Sequence, residues 1–347
     1  MNQPLIFQHY PELRNNLHWI PLGQYPTPVE RLKNLGRELA LENLWIKRDD
    51  LSGELYGGNK VRTLEFSLAE AKQKQADLIF TYSALGSNWP LACVIYAKLH
   101  DLPTNVFFVP YPLDAIKEKN LALIHSLAHQ VYLVKSKLAL PFLLYSHLYR
   151  SKKNTKVYLM PPGGISPKTT LGYVNAVFEL QRQCERGEMP IPDYIVCPLG
   201  TGGTAAGISI GLNLIGWPTQ IIAVRVVDLI VANKFTLHYL IRKTMKTMLQ
   251  KGANFSITSN WGNNIRIEHN YFGKGYSRPT ILGEKSIELF RTHEHQVLDS
   301  TYTGKTFAAI LEWCKQAGFK NKIILFWHTL NSRNLENLQK TLVDKRV

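Results

Sequence analysis

The sequence predicts an α/β protein built from parallel twisted sheets flanked by helices. Short apolar, β-rich runs alternate with amphipathic segments along most of the chain, the pattern of strands joined by crossover helices. The runs are almost continuously apolar, as strands covered on both faces must be. Glycine-rich turns also stand where a strand gives way to a helix. In chain order, residues 44–47 predict a strand before a helix over 62–75, 77–82 a strand before 90–99, 105–109 a strand before 116–127, and 131–134 a strand before 140–150. Further strands are expected at 157–160, 194–197, 221–227 and 322–327, with a helix at 205–214 after a Gly-rich loop.

Composition bounds the function. The chain has 347 residues, 45% of them hydrophobic, enough for a substantial core and for two lobes, since single cores stop growing near ~250–300 residues. No apolar run approaches the ~18 residues of a membrane span, and the first ten residues lack the pattern of a secretion signal, so cytoplasmic residence is expected. Cys93, Cys184, Cys197 and Cys314 have no paired spacing and read as buried, reduced thiols. The formal charge of +15 raises affinity for anions in general. No nucleic-acid-binding pattern accompanies it, and the densest cluster, residues 150–156, reads as a solvated loop. His125 with His129, and His293 with His295, lack any surrounding metal motif, so no metal is expected.

Two stretches carry chemistry. In Gly57-Gly58-Asn59-Lys60, a lysine follows a tight turn and opens an amphipathic helix. A lysine fixed beside an apolar wall can lose its proton and form a Schiff base with an aldehyde. In Gly200-Thr201-Gly202-Gly203-Thr204, after an apolar strand and before a helix, backbone N–H groups can converge on an anion with the help of the helix's positive end. The loop lacks the Lys-Ser/Thr ending of a nucleotide-triphosphate loop and the spacing of a dinucleotide fingerprint. Pyridoxal 5'-phosphate has both an aldehyde and a phosphate, and is the expected cofactor. Gly86-Ser87-Asn88-Trp89-Pro90 reads by itself as a capped helix start.

These motifs, with Pro26-Thr27-Pro28, Ile46-Lys47-Arg48-Asp49-Asp50-Leu51, Pro162-Gly163-Gly164, Gly172-Tyr173, Gly273-Lys274-Gly275-Tyr276, Tyr302-Thr303-Gly304-Lys305 and His328-Thr329, occur in an order that resembles fold-type-II pyridoxal-phosphate enzymes. The branch resembled holds D-cysteine desulfhydrase and 1-aminocyclopropane-1-carboxylate deaminase, relatives of the tryptophan synthase β subunit. The resemblance implies a homodimer and two domains, a large cofactor-binding one (1–62 and 173–347) and a small one (63–172), with the cofactor in the cleft between them. It implies Lys60 as the covalent attachment and base, Ser87 near the substrate carboxylate, Asn88 near the cofactor's phenolic oxygen, and Gly200, Thr201, Gly202, Gly203 and Thr204 around the phosphate. Tyr276 and Tyr302 would line the substrate side. Thr303 would stand at the ring nitrogen, where the deaminase has an acid. A threonine leaves the ring nearer neutral, which suits β-elimination better than ring opening. The implied reaction is removal of the β-substituent of a small amino acid, giving a keto acid and ammonia, with sulfide from cysteine. A deaminase or racemase of the same fold is the rival, and a non-catalytic relative that uses its basic surface for binding is the alternative of a different class.

Five positions depart from the resemblance: Trp89 in place of His or Gln, Gly86 in place of Gln, Leu91 in place of Arg, Thr63 in place of a basic residue, and Leu330-Asn331 in place of two glycines. An altered pocket is expected from them.

Overall fold

A computed structural model describes residues 3–151, 155–257, 261–336, 338, 341 and 342. Its strands are β1 (Val29–Arg31), β2 (Leu44–Lys47), β3 (Leu78–Ala84), β4 (Thr104–Val109), β5 (Gln130–Leu133), β6 (Val157–Met160), β7 (Tyr194–Leu199), β8 (Gln220–Arg225), β9 (Ile265–Glu268) and β10 (Ile324–Trp327). Its α-helices are α1 (Ile6–His9), α2 (Pro11–Asn16), α3 (Lys33–Glu38), α4 (Lys60–Gln73), α5 (Asn88–Leu99), α6 (Ala115–Leu127), α7 (Leu140–Ser151), α8 (Leu171–Glu185), α9 (Gly203–Leu214), α10 (Lys234–Gln250), α11 (Ile281–Glu294) and α12 (Thr303–Trp313).

The chain forms two compact units. The first is Met1–Leu17, Gly23–Asn59 and Ser166–Arg333; the second is His18–Leu22, Lys60–Ile165 and Asn334–Val347. In the first, six strands run in the order β1-β2-β10-β7-β8-β9, all neighbours parallel except the antiparallel edge pair β1 and β2. Neither β1 nor β9 is legible in the sequence: Val29–Arg31 is three residues of mixed burial, and Ile265–Glu268 alternates charged with apolar residues at the other edge. The second unit holds the parallel sheet β5-β4-β3-β6.

The interior strands justify their apolar runs. Every residue of β10 is buried, and Phe326 packs among Phe290 and Phe307 with ring centroids 5.7 and 5.3 Å away. In the second unit Phe80 and Phe107 meet at 5.2 Å on neighbouring strands. At about 25 cal/mol per Å² of apolar surface removed from water, such side chains contribute roughly 2–3 kcal/mol each.

Two charged side chains in the first unit's core, Lys47 and Asp49, are fully paired. The Lys47 ammonium, fully buried, donates to Glu179 at 2.6 Å, to Gln183 at 2.6 Å and to the Thr27 carbonyl at 2.7 Å. Asp49 accepts from Thr27, Tyr173 and Trp327 at 2.7–2.9 Å. These bonds fix the end of β2, from which the chain turns toward Lys60.

Two expectations need correction. Cys93 and Cys197 are buried, but Cys184 and Cys314 are part-exposed, because they sit near helix ends rather than inside the core. Arg150 ends the helix expected over 140–150, but Ser151, expected in a loop, also belongs to helix α7, whose Leu144 is anchored on the β-sheet core; residues 152–154 lie outside the described residues. No helix among the described residues is long and apolar enough to cross a membrane.

Candidate active site

In a parallel sheet, ligands bind where loops leave the C-terminal ends of the strands. Strands β2, β10 and β7 are neighbours in that order, and each is followed by a segment singled out in the sequence: the turn ending at Asn59, His328–Asn331, and the Gly-rich loop. Topology alone therefore gathers three motifs that lie far apart in the chain.

The turn is wedged into place. A Cβ on Gly57 would lie 1.8 Å from the Asp50 carbonyl oxygen, and Gly58, at φ +87°, has the Thr329 carbonyl oxygen 2.6 Å from where its Cβ would stand. Only glycine fits either position. Gly58 N–H donates to the Asp49 carbonyl at 2.8 Å and Asn59 N–H to the Thr329 carbonyl at 3.1 Å. The Asn59 side chain then donates to Thr204 Oγ1 at 3.2 Å, joining the turn to the Gly-rich loop. Lys60 is the next residue.

Lys60 opens α4 in the second unit. It is part-exposed, yet protein packed around the amine disfavours its charge, and burial pushes it down from an ordinary lysine value to about 8. At neutral pH a useful fraction of this amine is unprotonated, as a nucleophile requires.

The Gly-rich loop ends with Gly202 at φ +93°, a left-handed conformation that glycine adopts at no steric cost. Helix α9 begins at Gly203, and no side chain caps it. Its first-turn N–H groups and the Thr204 hydroxyl form a donor set suited to a phosphate. A Cβ at Gly200 would meet the Tyr302 ring at 3.7 Å, so the loop runs beside that tyrosine. Tyr302 and Tyr276 share a hydrogen bond of 2.7 Å between their hydroxyls. Burial, Tyr276 and Asp299 together raise Tyr302 well above the usual phenol range, so it keeps its proton at neutral pH.

Tyr302 and Thr303 are held by Asp299, which the sequence did not single out. One carboxylate accepts from the backbone N–H groups of Thr301 (3.2 Å), Tyr302 (2.9 Å) and Thr303 (2.9 Å), and from the Thr303 hydroxyl (2.6 Å). The Asp299 N–H in turn donates to that hydroxyl at 2.8 Å. Lys305, fully buried, donates to the carbonyls of Phe272 (2.7 Å) and Gly275 (3.1 Å), fastening the loop that carries Tyr276. The only sequence signal for Asp299 is its place three residues before Tyr302.

In the second unit Ser87 occupies the cap position of α5, but its hydroxyl does not cap the helix; it bonds Ser83 Oγ at 2.7 Å. The side-chain cap expected of this helix start is not made by Ser87, because this nearer hydroxyl engages it. Asn88 receives a bond of 2.9 Å from Asn120 on α6. Two of the departures are explained here. A side chain at Gly86, φ +70°, would collide with Lys117, its Cβ 2.6 Å from the Lys117 carbonyl oxygen, so the close approach of α6 requires glycine. Trp89 is buried, donates from Nε1 to Thr81 at 2.8 Å, and lies against Gly164, where a Cβ would come within 2.3 Å of the indole. The indole is thus absorbed by the packing of its own unit. Nothing in the structure explains Leu91, beyond its complete burial, or Thr63.

No group of three or more His, Cys, Asp or Glu side chains suited to a metal occurs among the described residues. A lysine of lowered basicity and an uncapped, glycine-lined helix start fit a group with one aldehyde and one phosphate. This fold and this donor set define a pyridoxal-phosphate-dependent enzyme of fold type II. Residues 20–329 match the family model described as pyridoxal-phosphate dependent enzyme, and the chain belongs to that family.

Among its relatives, a candidate 1-aminocyclopropane-1-carboxylate deaminase of Pyrococcus furiosus is 32% identical over 92% of this chain and 94% of its own length. A D-cysteine desulfhydrase of Klebsiella pneumoniae is 30% identical over 88% and 91%. A crystal structure of an ACC deaminase homologue superposes with a TM-score of 0.79 at 28% identity, covering 99% of both chains. These relatives are pyridoxal-phosphate enzymes, and so is this chain.

Proposed function

We propose that the chain is a lyase that removes the β-substituent of a small amino acid, with D-cysteine as the first substrate to test. The observation that carries this most is the bond from Asn59 to Thr204: it joins the turn that ends at Lys60 to the loop suited to the phosphate. We assign residues 1–62 and 173–347 to a large cofactor-binding domain and 63–172 to a small one, and the working form to a homodimer.

The roles follow from the side chains. Lys60 attaches the cofactor; Gly200, Thr201, Gly202, Gly203 and Thr204 take its phosphate; Asn88 serves its phenolic oxygen; Thr303 stands at its ring nitrogen. When bound, the cofactor draws electrons from the substrate's α-carbon. Ser87 orients the substrate carboxylate, and the Lys60 amine, freed by substrate, takes the α-proton. The β-substituent leaves with the bonding electrons, and the Tyr276–Tyr302 pair can hydrogen-bond it as charge develops. For cysteine plus water, the products are a keto acid, ammonia and sulfide.

Thr303 favours elimination because its hydroxyl hydrogen is already given to Asp299, and it offers no titratable acid to the ring. Similar identity to a candidate deaminase supports ring opening of 1-aminocyclopropane-1-carboxylate as the second reading. Incubation with D-cysteine, L-cysteine and the cyclopropane amino acid, with sulfide, keto acid and inverted amino acid all measured, separates the readings. Sulfide with keto acid from cysteine supports the proposal; keto acid from the cyclopropane substrate alone overturns it.

A further inference from the structure

The resemblance leads one to expect two glycines at Leu330-Asn331. Instead, the side chain of Asn331 reaches the turn before Lys60: Gly57 N–H donates to Asn331 Oδ1 at 2.6 Å. The same oxygen accepts from Arg333 N–H at 3.1 Å, while Asn331 Nδ2 donates to the Arg333 carbonyl at 3.1 Å. Arg333 continues the clamp, donating to the carbonyls of Gly53 (2.7 Å) and Leu51 (2.9 Å). Both acceptor sites of the Asn331 oxygen are used, and its amide is locked from both ends.

The turn is answered residue by residue. The N–H groups of Gly57, Gly58 and Asn59 go to Asn331, Asp49 and Thr329 in turn, so two of the three acceptors come from the segment 329–331. Gly57 is buried, and a buried N–H left without an acceptor costs about 1–3 kcal/mol. A glycine at 331 has no side chain to supply one.

We infer that Asn331 is a positioning residue for Lys60, holding the near end of the Gly57-Gly58-Asn59 turn so that the lysine is presented in one orientation. This rests on Lys60 being the attachment residue, as proposed above. A residue with a merely structural role would change the melting temperature and leave the lysine's own properties alone. A positioning residue changes the lysine.

The test uses the full chain, with Asn331→Ala, Asn331→Ser and Asn331→Asp beside the wild type and Lys60→Ala. Two quantities are read: the affinity for pyridoxal phosphate from the visible band of attached cofactor, and the pH midpoint at which Lys60 in cofactor-free protein becomes reactive to acetic anhydride, located by peptide mass. The Ala and Ser variants should bind roughly tenfold more weakly, with the Lys60 midpoint moved up from about 8 toward that of an ordinary lysine. Asp, which keeps an acceptor for Gly57 but loses the donor to the Arg333 carbonyl, should restore cofactor affinity in part. Should one of the small variants fail to fold, the other supplies the comparison. Unchanged affinity and midpoint in a folded Ala or Ser variant overturn the inference. A visible band retained by Lys60→Ala instead overturns the attachment assignment, independently of Asn331.

Discussion

Helices α9 and α12 begin beside one another in the same unit, where Gly200 meets Tyr302, and they treat their positive ends in opposite ways. At α12 the protein supplies its own anion: the Asp299 carboxylate gathers three backbone N–H groups and the Thr303 hydroxyl. At α9 no side chain caps the helix, and the preceding residue is a left-handed glycine. The electrostatics of the two ends are alike. An internal carboxylate makes one a rigid mount for Tyr302 and Thr303, and its absence makes the other a place for an external phosphate.

The contrast can be broken by giving α9 an anion of its own. Gly203→Asp places a carboxylate in the first turn, and cofactor affinity should fall roughly hundredfold through like-charge repulsion. Without cofactor the same variant should be about 0.5 kcal/mol more stable, because the helix end gains a favourable charge. Titration with pyridoxal phosphate and denaturant melts of the cofactor-free protein read the two opposite effects. A variant that binds the cofactor normally would remove the phosphate assignment.

The reverse change is smaller. Asp299→Ala should cost about 2 kcal/mol of stability, seen in the same melts, and Asp299→Asn about half as much because it keeps one acceptor oxygen. An unchanged melting profile would mean that the mount does not depend on this carboxylate.

pH sharpens the account from the lysine's side. With an amine near 8, cofactor attachment should accelerate about tenfold per pH unit below that value and level off above it, since only the neutral amine attacks. Stopped-flow absorbance between pH 6 and 10.5 checks this; a climb that continues to pH 10 would signal an unperturbed lysine. The smallest effect belongs to Thr204→Val, which removes the acceptor for Asn59 and should weaken cofactor binding only a few-fold, about 1 kcal/mol.

The sequence revealed the parallel strands because runs such as Tyr194–Leu199 and Ile324–Trp327 are buried on both faces and carry no competing pattern. It hid β1 and β9, short edge strands whose pairing comes from neighbours rather than from their own residues. The Gly-rich motifs were legible because glycine is demanded by close approach, as at Gly57. Asp299 was not, and Asn331 stood out only as a departure from two glycines, because their partners are mostly backbone groups, which leave no mark in a sequence. Trp89 looked like an intrusion for a similar reason: only the fold shows that Gly164 makes room for it.

The central claim is that Lys60 carries the cofactor, and borohydride reduction of the pyridoxal-phosphate-loaded protein followed by peptide mass mapping tests it most directly. The label should sit on Lys60 alone. A label on any other lysine, with Lys60 unmodified, would contradict the account.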